Sequence, residues 1–203
     1  MINIDLSKSK KKSEFKIGST IIVSDKMQKT SYKLTEPYGK HFDKSFKPEL
    51  TPKKMLELGV FEGKYINDCY KEFPREWYEN AIKHKKLSKY ADPSVNLFKI
   101  KSRLSLQEWR KRGWIPIKIK DYEDIDVRGW FQWYCRYYIG RRCPTDEKQI
   151  GKWRRYIRHQ AQVIKSIKKN KLKFKSINDI INHRPKQRQS LLQWAYNPFV
   201  ISK

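Results

Sequence analysis

Residues 126–142, DVRGWFQWYCRYYIGRR, set Trp130, Phe131, Trp133, Tyr134, Tyr137 and Tyr138 among Arg128, Arg136, Arg141 and Arg142. From Val127 to Ile139 no strand-like polar face alternates, and Gly140 stands where a left-handed C-cap would end a helix. The run therefore predicts a mostly buried helix over 127–139, which the rest of the chain must enclose. Helical spacing brings Arg128, Gln132, Arg136 and the nearby Arg141 towards one side, and Trp130, Trp133, Tyr134 and Tyr137 towards another. Aromatic faces and guanidinium forks also stack on bases and grip phosphates, so the same residues open a nucleic-acid reading. The expected division makes Trp130 and Trp133 core and the arginines a surface stripe.

A core of few, large side chains fits a chain that is 38% hydrophobic yet 14% aromatic, and 203 residues suit one domain. Lys and Arg number 47 against 21 Asp and Glu, a net charge of +26 that opposes compaction unless a polyanion neutralises it. DNA or RNA is the expected partner. No apolar run reaches spanning length and no Lys-rich amphipathic stretch has a clean apolar face, so a membrane is not expected. The start, MINIDLSKSKKKSEF, has no apolar stretch after its lysines, and Cys69, Cys135 and Cys143 lack CxxC spacing. An intracellular protein with reduced thiols follows, rather than a secreted one. Lys8, Lys10, Lys11 and Lys12 read as part of a solvated tail, with a nuclear address as the alternative.

Arginine is distributed unlike lysine. Only Arg75 precedes residue 100, whereas Arg103, Arg110, Arg112, Arg128, Arg136, Arg141, Arg142, Arg154, Arg155, Arg158, Arg184 and Arg188 follow it. The planar fork makes bidentate contacts that a lysine cannot, so clustered arginine points to defined geometry. That geometry is either phosphate binding or bracing of the fold against Asp121, Glu123, Asp124 or Asp126.

The fold class expected is mainly α, a single-domain helical bundle with a small N-terminal β-hairpin, with α+β as the alternative. Residues 1–14 read as a disordered basic tail and 15–203 as one globular domain with its helical core over 51–196. FKIGSTIIVS and TSYKLTE around SDKMQK predict the hairpin, and residues 36–50, with Pro37, Gly39 and Pro48, a loop. Thr51-Pro52 opens a helix that Gly59 ends; shorter helices are expected over 64–71, after Pro74, and from the Ser105–Glu108 capping box. IPIKIKDY reads as a brief strand or extended link. A long helix runs from Thr145 to about Lys168, its apolar stripe being Ile150, Trp153, Ile157, Ala161, Ile164 and Ile167. Ser176 and Pro185 start two last helices.

The opposite face of the long helix carries Lys152, Arg154, Arg155, Arg158, His159 and Lys165. Beside Arg128, Arg136, Arg141 and Arg142 it would form a groove for a phosphate backbone between helices 127–139 and 146–168. Lys186, Gln187, Arg188 and Gln189 add a polar cluster at a helix start, with side chains able to read base edges. The leading expectation is thus a non-enzymatic nucleic-acid-binding protein. A nucleic-acid-modifying enzyme, nuclease or base-processing, is the alternative, with Asp124, Asp126 and His159 as its acid-base or metal groups. A genome-condensing structural protein is the second alternative. No Walker A loop, GxGxxG or HExxH occurs, so neither cofactor nor metal is expected.

LTPKKMLELGVFEGKYINDC at 50–69, the segment at 126–142, QIGKWRRYIRHQAQ at 149–162 and QRQSLLQWAY at 187–196 resemble a family of large double-stranded DNA viruses of algae and amoebae, with some fungal and algal members. Where that family's pattern has Pro this chain has Val127. The resemblance implies a viral or virus-exchanged protein, at work in the nucleus, viral factory or virion, and carries no catalytic residues with it.

Overall fold

The computed structural model describes residues 4–102, 104–113 and 126–202. Its elements in order are β1 (Thr20–Ser24), β2 (Lys29–Lys33), α1 (Pro52–Leu58), α2 (Arg75–Lys83), α3 (Leu106–Lys111), α4 (Trp130–Ile139), α5 (Asp146–Lys169), α6 (Ile177–Asn182) and α7 (Pro185–Gln193), with short 3-10 turns between them. The architecture is mainly α with a small antiparallel hairpin, as the sequence predicts.

Helix α4 sits at the centre because its rings leave no polar face and its two polar side chains, Gln132 and Arg136, find partners inside the fold. Nine of its ten residues are buried, and only Tyr138 is partly exposed. The loop before α1 supplies the hub of the packing. The Phe46 ring lies 5.4 Å from Trp133, 5.6 Å from Tyr134, 5.5 Å from Tyr137 and, across on α5, 4.9 Å from Trp153, mostly edge to face. Removing such a side chain costs about 3–5 kcal/mol. The loop is therefore a core element despite its irregular backbone.

Gly140 ends α4 in the left-handed region at φ 113°, and a Cβ there would lie 2.0 Å from the Glu36 carbonyl oxygen. The Gly140 carbonyl in turn accepts the Thr35 and Glu36 N–H groups at 2.9 and 3.0 Å. Only glycine permits this approach, which fastens the segment after β2 onto the end of α4. The hairpin pairs Thr20 with Lys33 and Ile22 with Ser31, turning Ile21 and Val23 inward and leaving Ile22 exposed, the two-residue period of a one-sided sheet.

Local signals hold where they are strong. Thr51 Oγ1 caps α1 by accepting the Lys54 N–H at 3.1 Å, and Ser105 and Glu108 close their capping box at 3.1 and 3.2 Å. Three expectations change. In place of the disordered tail, residues 6–8 and 12–14 form 3-10 turns, Ile4 and Leu6 pack on the core, and the Lys10 carbonyl accepts the Arg75 N–H at 2.8 Å. Apolar anchoring, which the lysine count obscures, fixes this segment. Residues 64–71 form turns rather than a helix, after a 3-10 turn at Phe61–Gly63 in which Phe61 and Glu62 take positive φ. On α5 the buried face is Ile150, Trp153, Gln160, Val163, Ile164 and Ile167, while Ile157 and Ala161 face solvent. The expected stripe drifted because Val163, a turn removed, packs inward instead. IPIKIKDY lies outside the described residues, as do Arg103, Asp121, Glu123 and Asp124.

Candidate functional site

The arginines of the 126–142 segment do not form a surface stripe. Arg128, Arg136 and Arg141 are buried in one ionic network with carboxylates from distant parts of the chain. Arg128 Nη2 lies 2.8 Å from Asp68 and 3.3 Å from Asp25, and its Nη1 donates to the Tyr65 carbonyl at 3.1 Å. Arg136 reaches Glu72 at 2.5 Å and Asp126 at 3.2 Å, and donates to Gln28 at 3.0 Å; Arg141 holds the other Asp126 oxygen at 2.6 Å. Tyr32 donates to Glu72 at 2.9 Å, with the Arg136 and Arg141 guanidinium groups 5.3 and 5.5 Å from its ring.

The electrostatics follow from this pairing. Burial alone would make the Arg136 guanidinium easier to deprotonate, yet Glu72 and Asp126 beside it push its pKa up instead. Burial would likewise raise the Asp25 carboxyl, but the Met27 N–H, Arg128 and Cys69 hold it below its ordinary value. Arg128, Arg136 and Arg141 therefore fasten the hairpin and the 65–72 segment to α4 and spend their charge on internal carboxylates, although Arg128 also reaches the lining of a cleft beside α5. Asp126, a carboxylate considered for metal or acid-base work, is spent on the same network.

The remaining predicted residues divide. Arg142 is half-buried, stacks 3.8 Å from the Tyr137 ring and donates to the carbonyls of Tyr137, Arg141, Lys40 and His41, a bracing role. Arg188 is buried among carbonyl oxygens, with Nε to His183 at 2.8 Å, Nη2 to Ile180 at 2.8 Å, and Nη1 to Pro198 and Val200 at 2.5 and 3.0 Å. Gln189 is buried too, donating to Gly59 O at 3.0 Å and accepting from the Phe98 N–H at 3.2 Å. Neither can read a base edge. Gln187 is half-buried between Arg184 and Gln162, whereas Lys186 is exposed.

Arg154, Arg155, Arg158 and Lys165 on α5 are all exposed, and no described residue forms a salt bridge with any of them. Arg155 and Arg158 edge a cleft of about 620 Å³, within the size range of ligand pockets. The groove expected between α4 and α5 is absent from the described residues, since α4 is enclosed. The cleft lies instead between α5, α7, the start of α4 and the α3 region.

Two ring clusters line it. Phe61 stacks on Tyr65 at 4.6 Å, and Tyr65 meets Trp109 at 5.5 Å. On the other side Trp130, Trp194, Tyr156 and His159 follow one another at 4.8, 4.8 and 4.3 Å, with Tyr156 hydrogen-bonded to Ser190. Lys152, Arg155 and Arg158 stand at the edge, and no described lining residue is acidic. Burial, with Lys148 and Arg155 nearby, pushes the Lys152 ammonium down; burial, with Arg158, does the same to His159. Cations thus crowd one another around an aromatic floor.

Scans against family models, curated proteins and solved structures return no match. None of the described helices is long and apolar enough to cross a membrane. Among the described residues only Asp25, Cys69 and Glu72 gather potential metal donors, within 4.8 Å of one another. Guanidinium groups already neutralise the two carboxylates, and burial pushes the Cys69 thiol up, so a protonated sulfur donates to Asp25 at 3.3 Å. Cys143, half-buried, is pushed up to about 11 by burial, and the buried Cys135 also rises, so neither is an activated nucleophile.

The i, i+3, i+4, i+7 spacing of Lys152, Arg155, Tyr156 and His159 could have been read as one face of α5. The contributions of Trp109 and Trp194 could not, because those residues reach the cleft from helices remote in sequence.

Proposed function

We propose that this protein binds DNA or RNA without catalysing a reaction on it, taking the phosphate backbone on the exposed cations of α5. Supporting this is the exposure of Arg154, Arg155, Arg158 and Lys165 with no salt bridge to a described residue, next to a buried set, Arg128, Arg136 and Arg141, that is neutralised by carboxylates. Neutralising a cation inside the fold costs a carboxylate, and the sequence supplies 21 Asp and Glu for 47 Lys and Arg. The surplus is left to solvent, where released counterions drive polyanion binding. Lys186 joins this set, while Arg128, Arg136, Arg141, Arg142, Arg188 and Gln189 leave it. On this reading the protein works where DNA or RNA is met, in the nucleus, viral factory or virion, which suits the viral family it resembles.

Affinity for a DNA duplex, measured as salt is raised, tests the proposal. Binding should weaken steeply, and Arg154→Ala with Arg155→Ala should flatten the logarithmic slope by about two, near one for each phosphate no longer neutralised. An undetectable affinity at physiological salt, or a slope the double change leaves alone, would overturn it.

A further inference from the structure

The cleft beside α5 has a composition that phosphate binding alone does not require. A site for a duplex backbone needs cations on an open surface, whereas this one is concave, about 620 Å³, and floored by rings. Trp109 lines the cleft opposite Tyr156 and Trp194, which stack on one another between His159 and Trp130, and Ser102 and Gln193 are polar groups along the same walls. Ser102 Oγ donates to Gln193 Oε1 at 2.7 Å, so this pair is set by the fold. Trp109, half-buried on the short helix α3, meets Phe61 edge-on at 6.5 Å and Tyr65 at 5.5 Å.

Resting on the nucleic-acid reading above, we propose that the cleft receives an unstacked nucleotide of a single strand, its base on Trp109 along the edges of the Tyr156–Trp194 stack and its phosphate on Lys152, Arg155 and Arg158. Each half of the site answers one half of the ligand. Bases stack on aromatic faces whatever their identity, and the absence of acidic lining residues among those described makes the rim complementary to an anion. A base paired inside a duplex presents no free face and cannot enter, so the cleft confers a preference for single strands, loops or ends. Burial, and then the neighbouring cations, pushes Lys152 and His159 towards their neutral forms, and a phosphate beside them would favour the charged forms.

The test compares a short single-stranded DNA oligonucleotide with the blunt duplex formed with its complement, at one salt concentration, using the full chain. The single strand should bind about tenfold more tightly, and Trp109→Ala should remove most of that advantage while changing duplex affinity less than about twofold. Trp109→Phe, which keeps a ring, should restore much of it. If Trp109→Ala unfolds the protein, Lys152→Ala carries the same comparison from the rim. Equal binding of strand and duplex, or an advantage that survives Trp109→Ala, overturns the cleft proposal while leaving phosphate binding intact. If neither binds, the nucleic-acid reading itself fails.

Discussion

Helices α4 and α5 are neighbours in the chain, and both carry arginine among aromatics, yet they use it oppositely. On α4, Arg136 is 1% exposed and held by Glu72 and Asp126; on α5, Arg154, Arg155 and Arg158 face water and form no salt bridge with a described residue. The fate of a guanidinium is decided by what the rest of the fold brings to it. Helix α4 has no solvent face, so Arg136 and the flanking Arg128 and Arg141 are paired internally, by Asp25 on the hairpin turn, by Asp68 and Glu72, and by Asp126. A buried charge left alone would cost several kcal/mol, and that cost ties three segments to one position. Helix α5 buries only one face, and its cations remain available.

The largest effect should come from breaking the internal set. Arg136→Met takes the paired guanidinium from the buried Glu72, leaves Asp126 to Arg141 and should cost about 3–5 kcal/mol in denaturant unfolding, with the salt dependence of nucleic-acid binding by the folded protein unchanged. Next comes Gly140→Ala, which forces a Cβ onto the Glu36 carbonyl at positive φ. A loss of about 1–3 kcal/mol is expected, again without a change in binding slope.

Acid should separate the two regions more gently. Because the folded-state Asp25 carboxyl sits below its unfolded value near about 3.9, its contribution is complete above that pH and is lost as pH falls through the lower, folded value. Asp25→Asn should flatten the decline of stability in this acid range, read as unfolding midpoint against pH; an unaltered decline would remove Asp25 from the account.

His159 gives the smallest effect and reads the other region. Its folded-state pKa is lowered, chiefly by burial and then by Arg158, so it is neutral near pH 7 and charges only as pH falls below about 6.5. In the free protein that charging opposes folding, so stability falls with pH there. With a phosphate in the cleft the new charge is favourable, so affinity should rise modestly over the same interval, and His159→Gln should abolish the rise.

Much of the fold was legible because its signals are local. Thr51-Pro52, the Ser105 capping box, Gly140 and the hairpin's alternation each act through neighbours a few residues away. The central position of α4 was legible too, from the missing polar face. Long-range partners were not. Arg128, Arg136 and Gln132 do share helical spacing, but that period marks a side, not whether water or Asp68 and Glu72 lie beyond it. Phe46 looked like part of a loop because backbone irregularity says nothing of where a ring inserts. Arg154, Arg155, Arg158 and Lys165 lie on the exposed side of α5 as expected, whereas Lys152 and His159, read onto the same face, are half-buried in a cleft that needed Trp109 and Trp194 from elsewhere in the chain.

The division between the two sets of arginines is tested most directly by the salt dependence of duplex binding for an Arg154→Ala, Arg155→Ala, Arg158→Ala triple variant beside the unaltered protein. The triple variant should retain the parent's unfolding midpoint and show a logarithmic salt slope smaller by about three. A slope equal to the parent's, with the fold intact, would contradict it.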